Sequence, residues 1–455
     1  MHYFSFAVVG ALVINLTDER YGNVDAFSRS VPIRRLTRST NVVGFMTLQQ
    51  HEDWNPNGPA QLSRREALSL AGAVVLTAAS LQSPLAANAN QDSVAVPIGA
   101  SWSAVDGLNA NNNFVSFDAT AYKAMKDDPT RTPLFKAAII RQLGTDPESK
   151  TVLDLGTGPF ALFAIMAAQV GAGKVYAMEA DPQAAQSAQQ AITKAGYDDV
   201  ITLLQGFSTE LTLPTKADVV ICEIVGSVAS EEGAYATVRD AHERLVKYPT
   251  LATSWIPHRI QTYAAPASYT LHNLFGPPEF NWDKLNGEPV RFNCRDKGLE
   301  LLADPIIIED IDFCNIMDKE QKDLIQKKKE LLFTIDPVRM EGNVLGLYEE
   351  FRRGNSSPAE SERLASETAH SMSGIALWPR LFLNDNVVID SRSYPAGNHQ
   401  RSHWQTVLPI MSARPVGGLK GGEQVQVTAE FLLPESVTKA PAYRLFGNVV
   451  FPLSK

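Results

Sequence analysis

Thr151-Val152-Leu153-Asp154-Leu155-Gly156-Thr157-Gly158-Pro159-Phe160 is the stretch that decides how the chain is read. Its first five residues form a short strand-like run that stops at a glycine, and the apolar stretch Ala161–Val170 behind it has the length of a helix. A glycine-rich turn between a strand and a helix lets the backbone approach a ligand closely, and the helix N-terminus favours negative charge there. Lys174–Glu179 then reads as a second strand, Pro182–Ala195 as a helix rich in Ala and Gln, Val200–Gln205 as a third strand and Ala217–Glu223 as a fourth. Strands that alternate with helices predict βαβ units and a parallel sheet. In such a sheet the ligand lies past the carboxyl ends of the strands. Position 161 is alanine, so the turn lacks the third glycine of a dinucleotide fingerprint. The next acidic group, Glu179, closes the second strand, where a carboxylate can accept both hydroxyls of a ribose.

After Pro257 the texture changes to short β-rich runs, among them RIQTYAAP from Arg259, GIALWPRLFL from Gly374, EQVQVTAEFLL from Glu423 and RLFGNVVFPL from Arg444. Gly, Pro and Asn turns separate them, the pattern of an antiparallel sandwich or barrel. Between these runs Asp318–Leu332 reads as a charged amphipathic helix, with Lys327, Lys328 and Lys329 on its solvated face, and Arg352–Ser371 as polar helix or loop. The expected organisation is a targeting region over 1–89, a linker over 90–112, a nucleotide-binding α/β domain over 113–257 and a β-barrel domain over 258–455. A helical insertion is expected at about 315–370 within that barrel.

Strand, Asp-x-Gly-x-Gly turn, helix, strand and glutamate together resemble motif I and its partner in class I S-adenosylmethionine (SAM) methyltransferases. The resemblance implies that Asp154 supports the turn, that Gly156 and Gly158 face the amino-acid part of SAM, that Glu179 holds the ribose, and that Ser208 or Thr209 lies near the adenine. The fourth strand sharpens this. It ends in Cys222-Glu223-Ile224-Val225-Gly226-Ser227-Val228-Ala229-Ser230-Glu231-Glu232-Gly233-Ala234. Two glutamates nine residues apart, Glu223 and Glu232, resemble the double-E loop of the protein arginine methyltransferases. A guanidinium is always cationic and a poor nucleophile. Two carboxylates can take its N–H bonds in fork geometry and aim one nitrogen at the methyl group. Glu231 is expected to point elsewhere and to tolerate glutamine.

Three more segments match that family. Tyr122–Asp128 with Arg131 resembles its N-terminal helix, which implies that Arg131 pairs with the SAM carboxylate and that Met125 packs near the sulfonium. Asp199 through Glu210 resembles its adenine region. Ser402-His403-Trp404 resembles its Thr-His-Trp loop, where His403 would steady the clamp or relay a proton and Trp404 would wall the arginine channel. Glu232-Gly233-Ala234 and Asn281–Leu285 look closer to the monomethylating branch. Phe160 departs from motif I, which has glycine there, Ser402 replaces threonine, and residues 290–370 have no counterpart. The implied function is SAM-dependent methylation of arginine in protein substrates by a homodimer or its tandem equivalent, with no metal and no covalent intermediate. Two other readings of the same residues stay open, a methyltransferase for a small cationic plastid molecule and a SAM-binding protein without turnover.

Composition bounds these readings. The 455 residues carry a net charge of −9, which argues against a nucleic-acid binder and suits cationic protein partners. Cys222, Cys294 and Cys314 make neither a disulfide framework nor a zinc motif. No apolar run reaches the ~18–20 residues of a membrane span. The first ninety residues read as an address: an apolar run at 4–16, an Arg- and Ser-rich stretch without acids before Glu52, then Arg64-Arg65, an apolar stretch to Leu81 and Ala87-Asn88-Ala89. This order resembles thylakoid-lumen targeting in algae with complex plastids, with the stroma as the alternative destination.

Overall fold

The computed structural model describes residues 93–104, 117–278, 280–285, 287–293, 298–318, 326–354, 356–392 and 402–452. The targeting segments at 1–89 lie outside them. Strand β1 (Ser93–Ser103) opens the fold, followed by helices α1 (Ala119–Asp127) and α2 (Thr132–Leu143). Next come β2 (Thr151–Leu155), α3 (Leu162–Val170), β3 (Lys174–Glu179), α4 (Pro182–Ala195), β4 (Ile201–Gln205), β5 (Val219–Cys222), α5 (Ala234–Arg244) and β6 (Trp255–Ile256). The predicted α/β alternation is therefore present within two residues at nearly every boundary. Local chemistry explains the sharp ends. Asp181 caps α4 by accepting from Gln183 N, Pro182 starts it, and Gly196 ends it in the left-handed region at φ +76°.

Strands β2 to β6 form a five-stranded parallel sheet in the order β4-β3-β2-β5-β6. Its central strands are buried on both faces, which is why they read as continuous apolar runs. Strand order reverses beside β2, so a crevice opens past the carboxyl ends of β2 and β5. Gly156 and Glu223 stand at those two ends.

The remaining elements are β7 (Arg259–Tyr269), α6 (Thr270–Leu274), β8 (Val290–Asn293), β9 (Leu299–Leu301), β10 (Ile306–Asp312), β11 (Gln326–Thr334), α7 (Pro337–Arg353), α8 (Pro358–Ala369) and β12 (Ser371–Met372). They continue with β13 (Gly374–Asn384), β14 (Val387–Asp390), β15 (Gln405–Leu408), β16 (Val416–Gly417), β17 (Gln424–Leu432) and β18 (Ala442–Pro452). One antiparallel sheet runs β10-β7-β13-β15-β8 with β9 and β14 at its flanks, and a second runs β1-β18-β17-β11. Both share one apolar core with the parallel sheet. The chain is thus a Rossmann-like domain followed by an antiparallel β-barrel half. Among the described residues no helix is long and apolar enough to cross a membrane.

Two expectations are corrected. Residues 93–103, assigned to a linker, are an edge strand that pairs with β18 from Ser93↔Pro452 to Ser103↔Ala442. Ile98 and Trp102 point into the core from alternate positions, and Pro97 is tolerated because an edge strand has free N–H positions. The helix expected over Asp318–Leu332 is strand β11 from Gln326 onward, while 319–325 lie outside the described residues. Lysine and glutamate suggested a helix, but Leu331, Phe333 and Ile335 are buried and Leu332 is exposed, a period of two that only a strand satisfies. Among the described residues the helical insertion is the pair α7 and α8.

Candidate active site

The crevice contains a cavity of about 420 Å³. Its floor is the turn after β2. Asp154 lies beneath this turn, buried, with Oδ2 accepting from Thr157 Oγ1 at 2.6 Å and from Ala164 N at 3.0 Å. Burial pushes its carboxyl up to about 6 against the pull of those two bonds. Gly156 and Gly158 adopt φ +70° and +65°, and a Cβ on Gly156 would meet Ile224 Cγ2 at 3.0 Å. Where motif I has its last glycine Phe160 lines the cavity, with Lys126 4.9 Å above its ring. The next residue, Ala161, takes the left-handed conformation at φ 43°.

Glu179 ends β3 with its carboxylate in the cavity wall. Oε2 accepts Gly158 N–H at 2.8 Å and Oε1 accepts Asp181 N–H at 2.9 Å, and burial raises its pKa. Each oxygen keeps a lone pair for a further donor. Met125, Gly206, Phe207 and Ser208 also line the cavity, whereas Thr209 does not. Ser208 is held by its carbonyl, which accepts from Arg244 Nη2 at 2.7 Å. A left-handed glycine floor, an acid at the second strand's end and a cavity bounded by Met125 and Phe207 fit SAM.

Glu223 and Glu232 line the same cavity from the β5–α5 loop, and Arg131, His403 and Trp404 complete it. The Arg131 guanidinium, expected to face a cofactor carboxylate, forms a buried ion pair with Glu223, each side chain 7% exposed. Its Nη1 also donates to the Met125 carbonyl at 3.1 Å. Glu232 has its pKa pushed up to about 8 by burial and then by the charges of Glu223 and Glu231, with Arg131 and Arg291 opposing.

Glu231, expected to point elsewhere, lines the same cavity. It is not a solvated control. Its carboxylate forms a bidentate pair with Arg291 on β8 at 3.1 and 2.9 Å and accepts Ser227 N–H at 2.6 Å. The expected tolerance of glutamine is corrected accordingly, since glutamine there would remove the bidentate partner of buried Arg291 and leave only the more weakly acting Glu288 as its counter-charge.

Barrel residues hold this loop from the other side. Trp404 Nε1 donates to the Val225 carbonyl at 2.8 Å, Ala229 N donates to Thr262 Oγ1 at 2.9 Å, and Ser230 bonds Tyr443 Oη at 2.8 Å. His403 packs its ring 3.9 Å from that of Trp404 and donates from Nδ1 to Asp128 Oδ2 at 2.8 Å. Burial lowers the His403 pKa, with Asp128 opposing. Burial alone would raise Asp128, but bonds from His403 and Thr130 outweigh it and hold its carboxyl below the usual range. Sequence reasoning assigned no role to Asp128 or Arg291. Asp128 meets a partner 275 residues away, a separation that leaves no local signal.

Residues 139–241 match the family model described as Ribosomal protein L11 methyltransferase (PrmA). The chain therefore carries a SAM-dependent methyltransferase domain of that type. Curated relatives over this region are named for arginine. Protein arginine N-methyltransferase PRMT10 of Arabidopsis thaliana is 38% identical over 115 residues, 24% of this chain and 29% of that protein. Arginine N(omega)-methyltransferase of Streptomyces achromogenes subsp. streptozoticus is 38% identical over 128 residues, 27% of this chain and 34% of that protein. The chain thus spans about a third of the length of these relatives. The solved structure of Arabidopsis thaliana protein arginine methyltransferase 10 matches 74% of this chain and 98% of its own with a TM-score of 0.50 at 16% identity, a likeness of fold.

Proposed function

We propose that the protein transfers a methyl group from SAM to a guanidinium nitrogen of arginine, with protein-bound arginine as the substrate. The observation that carries this reading is the convergence of Glu223 and Glu232 on the cavity that also holds the glycine turn and Glu179, while the carboxylate of Glu231, which lines the same cavity, is engaged by Arg291 and Ser227. Glu223 already holds a guanidinium, that of Arg131, so its surroundings accept this head group.

When bound, SAM supplies a methyl group on a positively charged sulfur. Gly156, Gly158, Glu179 and Ser208 hold it by backbone and ribose contacts, and Arg131 is the cation within reach of its carboxylate. Glu223 and Glu232 take the N–H bonds of the substrate guanidinium and draw its positive charge away from the attacking nitrogen. One proton would leave the guanidinium as its nitrogen bonds the methyl carbon and the carbon–sulfur bond breaks, with S-adenosylhomocysteine as the leaving group. Glu232, with its raised pKa, is a group that can hold that proton near neutral pH. His403, fixed by Asp128 and within the field of Glu223, would steady the clamp or relay the proton, and Trp404 would wall the channel. Positioning and electrostatics supply the rate.

The experiment is methyl transfer from labelled SAM by wild type, Glu223→Gln and Glu232→Gln, with arginine-rich protein and free arginine as separate acceptors. Each amide replaces an acceptor oxygen with an N–H donor that faces a donor-only guanidinium. Transfer to protein should fall about 10²–10³-fold, the cost of losing one charged contact to a transition state. SAM affinity should change little. Retained transfer in both variants would remove the clamp, and transfer to free arginine alone would replace the protein substrate. We further infer delivery to a plastid, on the Arg- and Ser-rich and twin-arginine segments of residues 1–89. A fluorescent fusion that stays outside plastids would overturn it.

A further inference from the structure

We propose that Glu231 and Arg291, which touch no reacting atom, act as a positioning pair: a buried ionic splint that turns the loop so that Glu232, and not Glu231, faces Glu223. The inference rests on the arginine-methylating reading of the cavity.

Two adjacent glutamates at the end of one loop have the same chemistry, so geometry must divide their duties. That geometry is built around Gly226. A Cβ placed there would lie 2.1 Å from Glu231 Cγ and 2.7 Å from its Oε1, so Glu231 folds flat across a residue that only glycine can be. Folded this way, Glu231 reaches Ser227 N–H and both Arg291 nitrogens, with the two side chains 10% and 11% exposed. Arg291 is not a loop residue free to follow. It sits on β8, in register with Val407 of β15. Two residues on, Asn293 Nδ2 donates to the Ser402 carbonyl at 2.8 Å, so the strand that anchors Glu231 also anchors the His403-Trp404 loop. Both side chains line the cavity, but the Glu231 carboxylate is taken up by Arg291 and Ser227, which leaves Glu232 as the loop acid on which the Glu223 charge acts most strongly.

The splint also has an electrostatic consequence. The charged and titratable groups that act on Glu232 come from every neighbouring element: Glu223 after β5, Glu231 on the loop itself, Arg131 at the start of α2, Arg291 on β8 and Tyr122 on α1. Glu231 disfavours the ionised form of Glu232 and Arg291 favours it. Paired, the two oppose each other at Glu232. Broken singly, they push in opposite directions, and a role confined to folding has no such signature.

The test uses full-length protein bearing 13C-carboxyl glutamate, with the Glu232 resonance assigned by its loss in Glu232→Gln. Its titration midpoint is read in wild type, Glu231→Gln, Arg291→Met and the double variant, each saturated with S-adenosylhomocysteine. Glu231→Gln leaves Arg291 with only the more weakly acting Glu288 as counter-charge and should move the midpoint to lower pH. Arg291→Met leaves Glu231 uncompensated and should move it to higher pH. The double variant should return toward wild type and recover at least tenfold in kcat/KM over the worse single. Midpoints that stay put in both singles, or a double variant as impaired as the sum of the singles, would overturn the proposal. Where a single variant fails to fold, Glu231→Asp and Arg291→Lys keep the charges but shorten one arm of the splint. They should lower kcat/KM at least tenfold with the midpoint unchanged, and wild-type kcat/KM in both would overturn the proposal equally. The NMR midpoints need no turnover, so a wild type that methylates no arginine defeats the functional reading while the splint is still judged on its own.

Discussion

Replacing Asp128 by asparagine tests how the two halves of the molecule meet over the cavity. Asp128 follows α1 and is buried, yet its carboxylate accepts Thr130 N and Thr130 Oγ1 at 2.7 Å each, His403 N at 2.9 Å and His403 Nδ1 at 2.8 Å. An asparagine keeps one oxygen. If that oxygen stays on Thr130, its amide nitrogen faces two donors of His403, and both bonds across the domain junction are lost. Each is charge-assisted and worth about 1.5–3 kcal/mol. Relief from burying a carboxylate returns part of the gross ~3–6 kcal/mol, which leaves a net loss of about 2–4 kcal/mol. At roughly 1–1.5 °C per kcal/mol for a chain of several hundred residues, Tm should fall by about 2–6 °C.

Thermal unfolding at a series of pH values supplies the assay and the sign. The folded Asp128 carboxyl titrates below its unfolded value, so its stabilisation is fully present above pH ~3.9 and is lost as pH falls through the folded value. The Tm gap between wild type and Asp128→Asn should therefore be constant from pH 7 down to about 4 and narrow below it. Asp127→Asn is the control, because that neighbour pairs only with exposed Lys123 and its loss should leave Tm unchanged. A Tm for Asp128→Asn that matches wild type at pH 7, or a gap that widens toward acid, would refute the argument.

Two further outcomes follow from the cavity itself. Glu179→Ala should weaken SAM binding at least tenfold by calorimetry, since two charge-assisted ribose bonds of roughly 1.5–3 kcal/mol each are removed, and unchanged affinity would displace the β3 assignment. kcat/KM for methyl transfer should climb with pH through about 8, where Glu232 ionises in the free enzyme, and flatten above it. In the same range the raised Glu232 pKa is a stability cost: relative to Glu232→Gln, wild type should lose stability from pH ~4.3 up to about 8 and no further. A kcat/KM that is flat from pH 6 to 9 would contradict the first statement, and a pH-independent difference in Tm the second.

What was legible in the sequence is what depends on neighbours in the chain. The turn at Gly156 and Gly158, the alternation around it and the boundary of β3 at Glu179 follow from local conformational needs, and all stand where expected. The nine-residue spacing of Glu223 and Glu232 was legible because one loop carries both. Arg131 was placed in the cavity correctly, and its pairing with Glu223 was not legible because it depends on how the helix after Arg131 docks on the rest of the fold. Strand β11 and strand β1 were misread for one reason. Lysines and glutamates in one, and Ser, Gly and Pro in the other, carry propensities that pairing with β17 and β18 overrides. Asp128 and Arg291 were invisible because burial, not composition, gives them their roles, and burial is decided by register between distant strands.

Charge balance in the cavity ties the clamp to the splint. Four carboxylates line it, Glu179, Glu223, Glu231 and Glu232, against three cations, Lys126, Arg131 and Arg291. With every group ionised the walls carry one excess negative charge in a partly enclosed space, where like charges repel far more strongly than in water. The least expensive relief is one proton, and Glu232 is a group that can take it, because burial first and then the charges of Glu223 and Glu231 raise its pKa. A guanidinium entering between Glu223 and Glu232 supplies the missing positive charge and makes that proton superfluous. The cavity thus prefers a cation of +1 over a neutral amide or a thiol of the same size by the energy of expelling the proton and refilling the gap. Splinting Glu231 to Arg291 is what keeps the excess at one. Without the splint the loop would present two free carboxylates beside Glu223, hold two protons instead of one, and lose the single, directional vacancy that a planar guanidinium fits.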